Sequence, residues 1–348
     1  MPASSRCPCW QTQDGVTTGS RHINNNAMRY ISSDNCHVMT LCKRLIFFIF
    51  LSQLLLACSH NKHNNSTLRS MYYWQTTFNT NDSVTQKFLR EHRVSRLYVR
   101  FFDVVMRQDE PMPNATISFK HPVDGHFDIV PVVFITNDVM QHPRQGLAGM
   151  VLKRVVQMCQ THDIGPIKEV QIDCDWTLST RRTYYSFLQE MHDLTAKHDI
   201  KLSTTIRFHQ LSHPAPPVDR GVLMIYNTGE ISDYNEHHPI LDMRSVDKYL
   251  PYLSQYPLHL SAAYPIFSWK VLFRAHQFIG IVHSKDEYPI VAGDEIVTRS
   301  VQTEQLFEAH QTIERLRPDA NNEVILYDLQ PQNIIKYKYK DYEKVFNH

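Results

Sequence analysis

Glycine is scarce in this chain, ten residues in 348. None makes a Gly-rich turn after the first β-like run. That excludes a phosphate cradle or a dinucleotide fingerprint, because both need glycines where the backbone approaches phosphate. Charge of one sign is also lacking. Lys and Arg number 36 against 35 Asp and Glu, with no basic stripe or acidic tail, so no electrostatic case exists for a nucleic-acid partner. Cysteine is sparse where cross-linking would matter. Cys7, Cys9, Cys36, Cys42 and Cys58 precede the main body of the chain, and only Cys159 and Cys174 follow. Two cysteines make no disulfide framework, and on opposite elements they are expected as free buried thiols. The 20 histidines are scattered without HExxH or comparable ligand spacing, and His237-His238 lies in a polar loop. No metal and no cofactor is therefore expected.

Long apolar runs are nearly absent too, and the one present is informative. Lys43 to Cys58 reads KRLIFFIFLSQLLLAC, with two positive charges before an apolar stretch, Leu45 to Leu56, broken by Ser52 and Gln53. A membrane span needs about 20 apolar residues, more than this run supplies. A basic start, a short apolar centre and a small residue at a cut site describe a secretory signal. With Cys58 directly after Ala57, the segment resembles a bacterial lipoprotein signal. That resemblance implies a lipid on Cys58 and a membrane-anchored place in the cell envelope, periplasmic or at the outer membrane. Met39 opens a signal of ordinary length. Residues 1–38, rich in Asn, Ser, Thr and Cys without apolar periodicity, read as an upstream extension from a wrong start. The expected organisation is 1–38 extension, 39–57 signal peptide, 58–67 lipidated polar tether, and 68–348 a single domain.

Within that domain β-like runs alternate with helical stretches. The runs are Ser70 to Thr76, Arg96 to Val105, Ile129 to Thr136, Glu169 to Trp176, Lys201 to His209, Gly221 to Asn227, Leu258 to Ile266 and Glu323 to Leu329. Helical spacing of apolar residues predicts helices carrying Val84, Phe88 and Leu89 after a cap at Asn81 or Asp82, and near Leu147 to Gln160, Thr180 to Lys197, Ser245 to Gln255, Thr303 to Leu316 and Lys336 to His348. A hairpin is expected within 270–300. Eight β runs mostly separated by helices predict one α/β domain, a (β/α)8 TIM barrel, with a doubly wound open sheet as the alternative.

In a barrel the working residues stand at the C-terminal ends of the strands. The fourth run alternates Gln171, Asp173 and Asp175 with Ile172, Cys174 and Trp176, so period two sends the polar set inward and the apolar set toward the helices. Two inward carboxylates are costly unless paired or functional. The fifth run offers Ser203, Thr205, Arg207 and His209, and Arg207 is placed to meet Asp173 or Asp175. Arg100 is a second candidate interior cation. Paired carboxylates suit glycoside hydrolysis, one as proton donor and one as base or nucleophile. Asp173, Asp175 and Glu230 are the candidate catalytic acids, with Asp103 and Asp328 as further donors. Trp74, Phe102, Trp176, Tyr226, Tyr264 and Trp269 are expected near the rim, where sugar rings stack on aromatic faces. Together with Arg100, Arg207 and His209, Trp74, Trp176, Tyr226, Tyr264 and Trp269 form the candidate substrate-binding set. A buried ion network that only fixes the barrel is the structural alternative.

At VQIDCDWT, Val170 to Thr177, the chain resembles part of the fourth-strand signature of family 18 chitinases, DxxDxDxE. Asp173 and Asp175 match its second and third acids. Val170 replaces the first, and Thr177 replaces the catalytic Glu, so chitinase-type proton donation is not implied. Five segments resemble lipoproteins of Bacteroidetes-type bacteria: QIDCDWT (171–177), YYSFLQEM (184–191), LSTTIR (202–207), YPIFSW (264–269) and VILYDL (324–329). This resemblance implies a glycoside-hydrolase-like barrel and no particular activity. Three functions follow as expectations: an envelope enzyme acting on a glycan, a glycan-binding lipoprotein whose barrel acids are structural, or an envelope assembly protein. The expected partners are a glycan or other envelope polymer, and a membrane through the lipid on Cys58.

Overall fold

The computed structural model describes residues 67–142, 144–284 and 287–347. The signal, Cys58 and nearly all of the tether lie outside the described residues.

All eight β runs form strands: β1 Leu68–Tyr73, β2 Arg96–Arg107, β3 Asp128–Ile135, β4 Glu169–Asp173, β5 Lys201–Ile206, β6 Arg220–Met224, β7 Leu260–Pro265 and β8 Glu323–Tyr327. Each pairs in parallel with the next, and β1 pairs with both β8 and β2, so the sheet closes on itself. The fold is a (β/α)8 TIM-barrel-like domain. Several expected runs overreach their strands. Trp176, Asn227 and Leu329 fall in loops beyond β4, β6 and β8, and His209 in a 3-10 turn beyond β5, at the C-terminal end of the barrel.

The outer layer departs from strict alternation. Helix α1 (Ser83–Glu91) follows β1, opened by the Asp82 carboxylate accepting the Thr85 amide. α2 (Asn137–Gln141) and α3 (Leu147–Thr161) follow β3, and α4 (Arg181–Ala196) follows β4. No α-helix joins β2 to β3. There the chain runs on to Arg107 and returns as an antiparallel strand, Glu110–Asn114. Between β5 and β6 only a 3-10 turn, Phe208–Ser212, is formed. The helix expected at 245–255 is a 3-10 turn, Met243–Tyr249, followed by one turn, α5 (Leu250–Leu253). The hairpin expected at 270–300 is a three-stranded antiparallel sheet, with Ser268–Arg274 between Gln277–Ile281 and Asp294–Ser300. α6 (Thr303–Leu316) leads into β8, and α7 (Pro331–Ile334) and α8 (Tyr339–Phe346) close the described chain. Among the described residues no helix is long and apolar enough to cross a membrane.

Outward-facing strand residues such as Val99, Ile172, Leu202 and Val324 are fully buried. Each contributes about 1.5–3 kcal/mol of hydrophobic stabilisation. Cys159 and Cys174 are buried free thiols. The inward residues at the strand starts form a polar plug. Arg220 bonds Glu169 through Nε (3.0 Å) and Nη2 (2.9 Å), and Glu323 and Ser261 through Nη1 (both 2.6 Å). Ser70 donates to Glu323 at 2.7 Å, and Arg96 reaches Glu323 at 3.3 Å and Asp128 at 2.7 Å. Burial works against the Glu323 charge, but Arg220 and Arg96 outweigh it and hold the carboxyl below its ordinary range. Above this plug Tyr72 donates to Gln171 Oε1 at 2.6 Å, and Gln171 donates to Ser203 at 3.3 Å.

Candidate functional site

The C-terminal end of the barrel collects the polar residues of β4 and β5. Asp173 is buried at the end of β4, and Asp175 is exposed in the loop beyond it. One carboxylate oxygen of Asp173 accepts from Thr205 Oγ1 at 2.5 Å and from Arg207 Nη2 at 3.5 Å. Asp175 accepts from Arg207 Nε at 2.8 Å. A single guanidinium thus spans both acids, as adjacent strands and period-two alternation allow. Burial raises the Asp173 carboxyl, and the charges of Asp175 and Asp103 add to that, against the opposing pull of Arg207 and Thr205. Arg207 is held more firmly protonated, because Asp173 and Asp175 outweigh its own burial. Its guanidinium carbon sits 5.6 Å from the Tyr226 ring centroid.

A second ion pair comes from an irregularity in β2. The register against β3 shifts between Arg100 and Phe102. In a regular strand residues three apart face opposite ways; the extra residue at the bulge turns Arg100 and Asp103 to the same side. Arg100 then holds Asp103 with two bonds, Nε to Oδ1 at 2.6 Å and Nη2 to Oδ2, and lies 5.4 Å from the Trp74 ring.

Between these ion pairs runs a row of rings. Trp74 contacts Phe134 (6.5 Å between centroids) and Tyr327 (5.7 Å). Tyr327 contacts Tyr226 (5.0 Å) and Phe267 (5.7 Å), and Phe267 contacts Trp269 (5.2 Å). Trp74, Phe134, Tyr327 and Trp269 are half-buried, while Tyr226 and Phe267 are buried beneath them. Phe134, Phe267 and Tyr327 were not among the sequence candidates. The available signal was their position as the last inward residues of β3, the β7 end and β8.

Other candidates fall elsewhere. Trp176 is buried on the outward face, packed on Tyr185 of α4 at 5.6 Å and on His213 at 5.9 Å. This corrects its place at the rim, and parity is the reason, since Trp176 alternates with Asp175. Tyr264 is also corrected. It is fully buried against the helical layer, donating to Asn321 Oδ1 at 2.8 Å beside the His310 ring of α6. Phe102 is buried on the outward side of the same bulge, under Arg154. Glu230 stands exposed in the loop after β6. Its carboxylate accepts the Ser232 hydroxyl at 2.6 Å and amide at 3.2 Å, and these bonds hold it below its ordinary range, the wrong direction for a proton donor. His209 is exposed on the 3-10 turn after Arg207. Desolvation and the Arg207 charge keep its imidazole below its usual range. Asp328 is buried, raised by that burial, and engaged by Asn333 Nδ2 and Gln330 Nε2, both at 2.5 Å. Thr177, at the place of the chitinase Glu, bonds only locally, to Ser179 Oγ at 2.9 Å and within 3.3 Å of Thr180 Oγ1. Among the described residues no group of three His, Cys, Asp or Glu is arranged to hold a metal ion.

The mouth therefore offers half-exposed rings, two arginines and acids that are each engaged by a cation or an amide. Such a surface can stack on the apolar faces of a ligand and hydrogen-bond its polar edges.

No protein-family model matches the chain, and no curated protein matches it. Solved structures do share its fold. The Bacillus cereus spore cortex-lytic enzyme SleL superposes with a TM-score of 0.53 at 13% identity, covering 81% of this chain and 74% of that one. A chitinase from Chromobacterium violaceum gives 0.53 at 11% identity, covering 80% and 98%. A class V chitinase from Pseudomonas fluorescens gives 0.51 at 10% identity, with the same coverage, 80% and 98%. At such identities the likeness establishes the (β/α)8-barrel fold alone.

Proposed function

We propose that the C-terminal mouth of the barrel binds a glycan chain and does not cleave it by chitinase-type proton donation. The observation that carries the reading is the row of half-buried rings Phe134, Trp74, Tyr327 and Trp269, joined across buried Phe267. Pyranose rings present apolar C–H faces to such side chains, while Arg100, Arg207 and Asp175 flank the row to bond hydroxyls. The acids argue against chitinase-type donation. Arg207 engages Asp173 and Asp175, Arg100 engages Asp103, and Thr177 carries no ionisable group. The same fold serves proteins named chitinases and a cortex-lytic enzyme, which supports a glycan as the ligand class.

Hydrolysis is the second reading, favoured by the place of Asp173, buried at the C-terminal end of β4, where desolvation raises its carboxyl in the direction a proton donor needs. A screen of the purified mature protein against a glycan panel, scoring binding and reducing-end release together, separates the two. Binding without release is expected, and Trp74→Ala and Trp269→Ala should each weaken it roughly tenfold, the worth of about one lost ring contact. Release that disappears in Asp175→Asn establishes an enzyme instead.

The chain's place follows from its sequence in this proposal. Lipid on Cys58 anchors the barrel in the cell envelope, with residues 59–67 as tether. Cys58→Ser should abolish incorporation of labelled fatty acid into the protein; labelling of the variant at the wild-type level would overturn the anchor.

A further inference from the structure

Two of the rings in the row belong to the root of the three-stranded insertion. Phe267 immediately precedes its first strand, and Trp269 is the second residue of that strand. Two consecutive residues of the C-terminal segment hold the insertion at both roots. Lys336 Nζ donates to the Ile266 carbonyl at 2.9 Å and to Ser268 Oγ at 2.6 Å, one on each side of Phe267. Tyr337 Oη donates to the carbonyl of Val301, the residue after the last strand, at 2.8 Å. Lys336 and Tyr337 are themselves fixed to the barrel. The Tyr342 hydroxyl donates to the Asn333 carbonyl at 3.1 Å, the Tyr337 and Tyr342 rings meet at 5.5 Å, and Asn333 bonds buried Asp328 at the end of β8. The loop after β6 also braces the insertion: Arg299, paired with Trp269 at the root, donates to the Tyr234 carbonyl at 2.6 Å, and the Tyr234 ring packs on Phe273 farther out. The buried side chains of the insertion, Val271, Leu272 and Phe273, stand apart from the main core. Its position relative to the mouth is therefore set at the roots, by Lys336 and Tyr337 on one side and the Tyr234 carbonyl on the other.

We propose that Lys336 and Tyr337 form a two-point clasp on the insertion and are positioning residues for Phe267 and Trp269, touching no ligand themselves. The functional consequence rests on the glycan-binding reading of the mouth; the clasp itself does not. Ser268 alternates with Phe267 and Trp269, so Lys336 grips the strand from the side opposite the rings. Its charge state is part of the device. Desolvation lowers the ammonium from the ordinary 10.5 to about 8, against the pull of Asp328, the acid facing it from the end of β8. In an opened clasp the amine returns to water and holds its proton more tightly. Opening is then linked to proton uptake above pH 8, so the clasp tightens as pH rises from about 8 toward 10.5.

The test compares the full-length protein with a double variant, Lys336→Met with Tyr337→Phe, both conservative in volume. Hydrogen exchange is followed across residues 266–301, and affinity is measured for whichever glycan the panel identifies. The expected result is exchange faster by about tenfold in that segment and unchanged in β1–β6, with a comparable loss of affinity. Wild-type affinity should also strengthen as pH rises through 8, and Lys336→Met should abolish that rise. Unchanged exchange overturns the clasp. Faster exchange with unchanged affinity overturns the positioning role. If no glycan binds the wild type, the reading of the mouth fails, and the exchange comparison alone decides the clasp.

Discussion

Arg207 is the residue on which the candidate site turns. It leaves β5 just where the strand ends, spans an exposed and a buried acid, and lies against Tyr226. Removing it leaves Asp173 buried without its cation. Arg207→Met should therefore destabilise the protein at pH 7 by about 2–4 kcal/mol, somewhat less than a fully buried broken pair because Asp173 can take up a proton. The cost should shrink at pH 4, as the raised carboxyl takes up its proton, and Asp173→Asn in the same protein should remove most of it. Urea unfolding of the three proteins at the two pH values checks this. In the intact protein the sign is set by the raised Asp173 pKa. Its contribution to stability is fully present below the ordinary Asp range and is lost as pH rises through the folded-state value. Asp173→Asn alone should then stabilise at pH 7 relative to its effect at pH 3.

At the scale of elements, the site is assembled by irregular pieces on a regular frame. The β2 bulge turns Asp103 toward Arg100, the missing helix after β5 leaves His209 exposed on a short turn, and the insertion after β7 supplies Trp269. Because the insertion's buried residues stand apart from the main core, replacing residues 268–300 with a short Gly-Ser link should leave a folded barrel. A fall in Tm of no more than about 5 °C is expected, with glycan binding lost. Calorimetry and the binding assay on one preparation test both halves; global unfolding would show instead that the insertion belongs to the barrel core.

Over the whole molecule, the two ends of the barrel do different work. The N-terminal end is closed by Arg220, Glu169, Glu323, Arg96, Ser70 and Ser261, every polar group of which has a named partner. Glu323→Gln should cost about 3–5 kcal/mol at pH 7, since Arg220 would be left buried with half its compensation. Glu323 has a lowered pKa, so its contribution is present above the ordinary Glu range and is lost as pH falls through the folded value. The difference from wild type should narrow as pH falls below the ordinary Glu range, and glycan affinity per folded molecule should not change. Unfolding curves across that pH range test the first expectation, and titration calorimetry tests the second.

The barrel itself was legible in the sequence, because strands and helices announce themselves by local periodicity. Eight runs were visible as eight strands, and the alternation of Gln171, Asp173 and Asp175 with Ile172, Cys174 and Trp176 already assigned faces. The Arg207 pairing followed from the neighbouring of consecutive strands. Only the tertiary structure decided the rest. Glu169, Arg220 and Glu323 are far apart in sequence and meet only because the sheet closes, so no local pattern marks them as one network. The β2 bulge shifts register by one residue without a sequence sign, and Asp103 changes face with it. Tyr264 and Trp269 look alike as aromatic residues near a strand end, yet one lies in the helical layer and the other on the mouth. That difference is set by strand parity and by the turn out of the barrel after Pro265, which only the closed sheet makes definite.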